Sequence, residues 1–141
     1  MISDKLKIIF LVIFIVFFQG CKHNDSDSVS VVSGTISFDD AISVEVISRI
    51  EVMLVDYSIA DASHIEIAKT TLTDINELPI SYAVAYNDNE IKSANLYSIS
   101  VDVYELNNQN TEVRTHTTMQ SYPVLTQGFG AQADVLVQQI N

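Results

Sequence analysis

From Val31 onward the chain alternates apolar and polar residues with a period of two. Val32, Gly34, Ile36 and Phe38 share one face, and Ser33, Thr35 and Ser37 the other, which predicts a half-buried strand. Gly34 inside that pattern marks a bulge or a close approach of another backbone. Val44 to Tyr57 is the strongest apolar segment of this region. Val44, Val46, Ile50, Val52 and Leu54 fall on one parity, and Glu45, Arg49 and Glu51 on the other. Its β-branched content favours a strand, with a helix over 47–54 as the competing assignment. Ile65 to Leu72 also reads as a strand, although Ser63 and Glu66 have the spacing of a helical capping box. Pro79 opens the next strand, where a missing N–H does least harm, and Ile80, Tyr82, Val84 and Tyr86 alternate with Ser81, Ala83 and Ala85. Tyr97, Ile99, Val101 and Val103 predict a fifth strand. Glu112 to Met119 is polar enough to be expected at an edge or a wet face, and Ala131 to Ile140 closes the chain with Val135 and Val137 inward. Short polar turns separate these segments. About seven strands with little helix predict a single all-β domain, an antiparallel β-sandwich or barrel.

The chain before Val31 has a different texture. Lys5 and Lys7 precede eleven unbroken apolar residues, Ile8 to Phe18. A membrane-spanning helix needs about 20 such residues, whereas eleven fits the core of a secretory signal. Gln19, Gly20 and Cys21 follow, and Cys21 is the only cysteine. A small residue before a lone cysteine at the end of such a core resembles the lipobox of bacterial lipoproteins, with Phe18 at its first position. That resemblance implies acylation of Cys21 and cleavage before it. In such lipoproteins an Asp after the cysteine favours the inner membrane. Lys22 stands here, which implies the inner leaflet of the outer membrane, facing the periplasm. Residues 1–20 are thus expected to be a signal peptide, 21–30 a flexible lipidated tether, and 31–141 the β-sandwich domain.

Charge narrows the partners. The full sequence carries seven basic and 18 acidic residues. Loss of Lys5, Lys7 and Asp4 with the signal leaves five and 17, a net charge of −12. Such a chain is a poor ligand for nucleic acid, which needs clustered Lys and Arg. With Cys21 acylated, no cysteine remains for a disulfide, so the core must hold the domain alone.

Little in the sequence points to catalysis. There is no G-x-S-x-G elbow, and His23, His64 and His116 show no metal-ligand spacing. Each histidine reads as a surface residue, so no catalytic residue, metal site or cofactor is expected. Asp39-Asp40 and Asp88-x-Glu90 offer carboxylates for Ca²⁺ but read as solvated turns. Asp56 and Asp61 flank a loop in which Asp and Ser are expected to bond nearby N–H groups. In SYPVLTQGFG, Pro123 holds Tyr122 extended, and Gly128 and Gly130 are free to take positive φ. The segment predicts a shaped bend that packs Tyr122 and Leu125 onto the end of the sandwich.

Four stretches carry a family likeness. Val32-Ser33-Gly34-Thr35-Ile36 matches an opening V-x-G-T strand. IEVMLVDYSIADA, from Ile50 to Ala62, matches a strand and loop with D-x-S-x-A-D-A. Pro79-Ile80 with Tyr86, and Tyr97-Ser98-Ile99, match middle strands. Tyr122 to Gly128 matches Y-P-V-L-T-x-G. In these the chain resembles the YbaY-type bacterial lipoproteins and the YscW-type pilotins of type III secretion. The resemblance implies a non-catalytic β-sandwich lipoprotein of the outer membrane that binds a protein or associates with the envelope. It marks Gly34, Thr35, Asp56, Asp61, Tyr122, Pro123, Leu125 and Gly128 as structural or partner-facing, beside Cys21 as the lipid site. The implied partners are the membrane, through the lipid, and a secretin-like or other envelope protein. A pilotin or chaperone for a secretin subunit is one alternative, and a small-ligand or glycan-binding lipoprotein another.

Overall fold

The computed structural model describes residues 28–140, so Cys21 and the segment 1–20 lie outside the described residues. Eight strands follow one another: β1 (Val29–Phe38), β2 (Ile47–Asp56), β3 (Ile65–Leu72), β4 (Ile80–Asn87), β5 (Tyr97–Leu106), β6 (Glu112–Thr117), β7 (Pro123–Val124) and β8 (Val135–Gln139). Two single-turn 3₁₀ segments, Val44–Val46 and Asp88–Glu90, are the helical elements among the described residues. The strands form one sheet in the order β3-β2-β5-β6-β8-β1-β4, with the two-residue β7 on β5. The sheet folds over on itself into a barrel-like sandwich, and β8 joins the two halves. It pairs antiparallel with β6 and parallel with β1, the one parallel pairing among the described strands.

The period of two explains the core. In β4 the burial pattern alternates without a break, and Ile80, Tyr82, Val84 and Tyr86 all point inward. Val32, Ile36, Ile50, Val52, Leu54, Ile99, Val101, Val103, Val124 and Val137 are almost fully buried between the two halves. Each such side chain contributes about 1.5–3 kcal/mol on burial. These residues are mostly β-branched, which suits a pleated surface packed on one side.

Two irregularities change which side chains reach this core. The pairing of β2 with β5 shifts between Ile47 and Arg49. Val44 and Val46 therefore leave the strand for the 3₁₀ turn, and Ile47, of the opposite parity, takes the inward place. The pairing of β5 with β6 shifts between Val103 and Tyr104, so Thr115 is the extra residue of a bulge. A one-residue insertion moves every later side chain to the other face. His116 accordingly turns inward opposite Val103 and is only 3 % exposed, a correction to its reading as a surface residue. Its ring meets Phe38 edge-on at 5.3 Å, with Nε2 3.2 Å from Asp40 and Nδ1 3.5 Å from Glu105. Nor is β6 at an edge, since it lies between β5 and β8.

The seam between β1 and β8 closes at Gly34. A Cβ built there would lie 1.8 Å from the carbonyl oxygen of Ala133. The phenol of Tyr82, opposite Gly34 on β4, donates to that same oxygen at 2.6 Å. Burial raises the pKa of this phenol well above its ordinary value, so it stays a donor. Next along β1, the N–H and hydroxyl of Thr35 both donate to Asp134, at 3.0 and 2.9 Å. Gly34→Ala should therefore push the 131–134 backbone off β1 and cost at least about 2 kcal/mol in urea unfolding. Gly130→Ala, with no atom within 4 Å of its new Cβ, is the control and should be near neutral. Equal midpoints for the two variants would refute the close-approach account.

Candidate functional site

The resemblance-marked residues separate into two groups in space. Gly34 and Thr35 belong to the β1–β8 closure. Asp56, Asp61, Tyr122, Pro123, Leu125 and Gly128 belong to the flank and loops around the start of β5. Asp56 ends β2 and accepts the Ser58 N–H at 2.9 Å, the Ser58 hydroxyl, and Asn95 Nδ2 at 2.6 Å. Ser58 Oγ in turn accepts the Leu96 N–H at 2.8 Å. One carboxylate thus ties the 57–64 loop to the entry of β5. Asp61 sits in the loop itself, at φ 61°. Asn95 was not singled out by sequence. The signal that could have found it is a polar residue next to an apolar strand start.

Tyr122 bridges the flank. Its N–H donates to Ser98 Oγ at 2.8 Å, and its carbonyl accepts the Ile99 N–H at 3.1 Å. Its phenol oxygen donates to Leu136 O at 3.0 Å and accepts the Leu136 N–H at 2.8 Å. Pro123 and Val124 then pair with Ser98 and Tyr97 as β7. The bend after it is tighter than sequence implies. The Thr126 N–H reaches Val124 O at 2.8 Å, a γ-turn around Leu125 at φ 70°. Gln127 and Gly128 also take positive φ, whereas Gly130 does not. Gly130 instead supplies the carbonyl that accepts the Leu125 N–H at 2.9 Å. Thr126 Oγ1 donates to Asn95 O at 2.7 Å, which binds this loop to the same β5 entry.

A different feature lies across the barrel. β3 pairs only with β2, and β4 only with β1, among the described residues. These two terminal strands face each other with Cα atoms within 8 Å, yet no backbone ladder joins them. Thr70 Oγ1 bridges to Ala83 O at 3.0 Å. A slit therefore runs between two unpaired strand edges. At one end is a depression of about 290 Å³ walled by Val29, Ile67, Ala68, Ala85 and Tyr86. At the other is one of about 270 Å³ walled by Leu72, Ile75 and Ile80 with loop residues 73–77. A third hollow, of about 270 Å³, lies on the flank among Tyr57, His64, Ser98, Ser100, Thr118 and Met119. Asp74 and Glu77 line the second of these and Glu90 the first, and none has a Lys or Arg in its lining. Among the described residues no three of His, Cys, Asp or Glu converge on a metal position.

The charges that do cluster form a surface ladder on the outside of β2, β5 and β6. Glu112 accepts Arg49 Nε at 2.9 Å, and Arg49 also pairs with Glu51 and stacks 3.7 Å over the Tyr104 ring. The Arg49 guanidinium and the Ser48 hydroxyl hold the Glu112 carboxyl below its ordinary range. Asp56 titrates low as well. Its burial opposes the charge, but the Ser58 and Asn95 hydrogen bonds and the Lys92 charge outweigh that cost. A carboxyl whose folded pKa is depressed adds stability that is present above the unfolded pKa and lost as pH falls through the folded one. Asp56→Asn should thus lower stability by about 1 kcal/mol at pH 7, a charged hydrogen-bond network discounted for partial exposure. The gap should shrink as pH falls below the ordinary Asp value of about 3.9. Urea midpoints from pH 7 to pH 3 measure it, and a constant gap would refute the clamp.

Comparison with known proteins places this geometry. The family model described as "Type III secretion system lipoprotein chaperone (YscW)" matches residues 27–137. No curated protein matches the chain. Among solved structures, an alternative pilotin from the type II secretion system of Vibrio cholerae shares the fold with a TM-score of 0.70. The two are 21% identical, and the match covers 81% of this chain and 99% of that one. The matched region takes in every strand of the barrel except the last two residues of β8. The chain belongs to the YscW family of type III secretion lipoprotein chaperones, and so is a non-catalytic, chaperone-type protein rather than an enzyme.

Proposed function

We propose that this chain is an outer-membrane lipoprotein, acylated at Cys21, that works as a pilotin for a secretin-like subunit. It faces the periplasm and receives an extended segment of its client between β3 and β4, which must part from within 8 Å to about 10 Å and release the Thr70–Ala83 bond to admit it. The observation that carries this reading is the pair of unpaired strand edges with a depression at each end, each lined by apolar and polar side chains together. An edge strand offers a row of free N–H and C=O groups. A client strand satisfies them with its own backbone, while alternate side chains enter pockets that set specificity. Ile67 and Leu72 lie five residues apart, so the two pockets are spaced by roughly 17 Å at strand rise. A client of about six residues spans that distance. Family membership and the pilotin fold support the class of partner. The signal-like segment with Gly20-Cys21-Lys22 supports the anchor and its membrane. The glycan-binding alternative would use the hollow of about 500 Å³ lined by Ile91, Ser93, Leu125, Gln127 and Phe129, which is within the usual 300–1,000 Å³ of a small-molecule site.

The test uses the full-length, membrane-extracted protein and overlapping peptides tiled across the secretin-like subunits of the same cell. One extended, partly apolar peptide should bind, and hydrogen exchange in β3 and β4 should slow on binding. Ala85 is exposed and lines one pocket. Ala85→Arg should weaken that peptide at least about tenfold, or 1.4 kcal/mol, with no change in unfolding midpoint. Gln109→Arg, in a turn remote from the slit, should bind as the parent does. Binding that ignores Ala85→Arg would move the site elsewhere, and failure of every secretin peptide would sink the pilotin reading.

A further inference from the structure

Four segments meet at one end of the barrel. Ser28, where the described chain begins, accepts the Asp88 N–H at 3.0 Å. Tyr97 links residues 90 and 92 to the start of β5. Asn95 and Leu96 join Asp56 and Ser58, and Ser93 and Asn95 join Gln127 and Thr126. The chain exit and the 57–64, 88–96 and 125–130 loops therefore form one surface. Five large apolar side chains of the described residues are half or more exposed: Ile59, Val29, Ile65, Met119 and Phe129. All but Met119 lie at this end.

We infer that this end of the barrel rests on the bilayer, with Ile59 and Phe129 inserted at the lipid interface. The inference rests on the proposed acylation of Cys21. What selects the lipid surface as the occupant is the length of chain and where it ends. Cys21 precedes Ser28 by seven residues, which span at most about 25 Å. The ten-residue strands are about 33 Å long, so the tether holds this end near the membrane and leaves the opposite end pointing away. Exposed apolar side chains on loops, held at high local concentration by a lipid, enter the headgroup boundary. Asp61, Asp88 and Glu90 on the same loops, against Lys92, make the surface net acidic. The bilayer it fits is therefore zwitterionic rather than anionic.

The chain lacks tryptophan, so a single substitution makes a clean reporter. Full-length lipidated Phe129→Trp and Leu106→Trp are each reconstituted into phosphatidylcholine vesicles with or without bromine-labelled acyl chains. Leu106 ends β5 at the far end, roughly 30 Å from Tyr97. Phe129→Trp should shift to the blue and lose at least about half its emission to bromine, as expected for insertion of 5–10 Å. Leu106→Trp should be unaffected, and adding Ile59→Asp to Phe129→Trp should reduce the quenching. Protein that floats with the vesicles while both reporters stay unquenched overturns the inference and leaves the anchor intact. Protein that does not float, with Cys21 unmodified by mass, overturns the anchor and the inference with it.

Discussion

A backbone carbonyl occupies the space where residue 34 would otherwise carry a side chain. The oxygen of Ala133 sits over Gly34 and is held there by Tyr82, while Asp134 is held by Thr35. That contact fixes the parallel pairing of β8 on β1, the one parallel strand pairing among the described strands, and so decides how the sheet closes. With β8 wedged between β1 and β6, the path of the sheet must end in β3 and β4. Closure on one side thus leaves the slit on the other. A larger residue at position 34 would disturb the core at the seam and, through β1 and β4, one wall of the slit.

β3 and β4 follow one another in the chain and lie side by side, which usually yields a hairpin. Here the ladder does not form. The β2–β3 register slips at Leu54 and Val55, where β3 contributes Ile67 as an extra residue. Lys69, with its amine 4.0 Å from both Glu51 and Glu66, adds charge to the same strand. Bulges and lysines are how proteins keep edge strands from indiscriminate pairing. The edge is thereby protected against its neighbour and against copies of itself, while its backbone groups stay open to a segment that brings a better fit.

The strands were legible because the core accepts one face of each and the residues alternate to suit. β4 shows this in pure form, with four inward and four outward residues. The errors fall where a bulge resets the parity. Val44 and Val46 have the periodicity of β2 but sit before its irregularity, and His116 sits after the bulge at Thr115. A bulge depends on how two strands meet, so neither strand's sequence announces it. The structural roles of the motif residues were not legible in the sequence. Thr35 needs an acceptor, and nothing in the sequence names Asp134, 99 residues away. The glycines near 128 announced a bend, but the strained non-glycine positions are Leu125 and Gln127, in a loop closed by Gly130 within it and tied down by Asn95 from outside the local sequence. Cys21, the expected lipid site, lies outside the described residues.

The slit and the loop end stand in a fixed relation. Val29 and Tyr86 wall one of its pockets, and both lie at the end where the described chain begins. Leu72, Ile75 and Ile80 wall the other, at the far end of the same two strands. A segment added along these edges therefore runs from the end where the described chain begins toward the opposite end, parallel to the strands. Its backbone would gain pairing from two edges at once, so affinity need not depend on a large apolar area, and the small pockets at either end can discriminate. The net charge of the full sequence, −11, works in the same direction. It weakens attraction to anionic lipid and to copies of this chain within the screening distance of about 8 Å. The surfaces left to make contact are then the apolar loop end and the open edges, and these point to different partners because they face different ways.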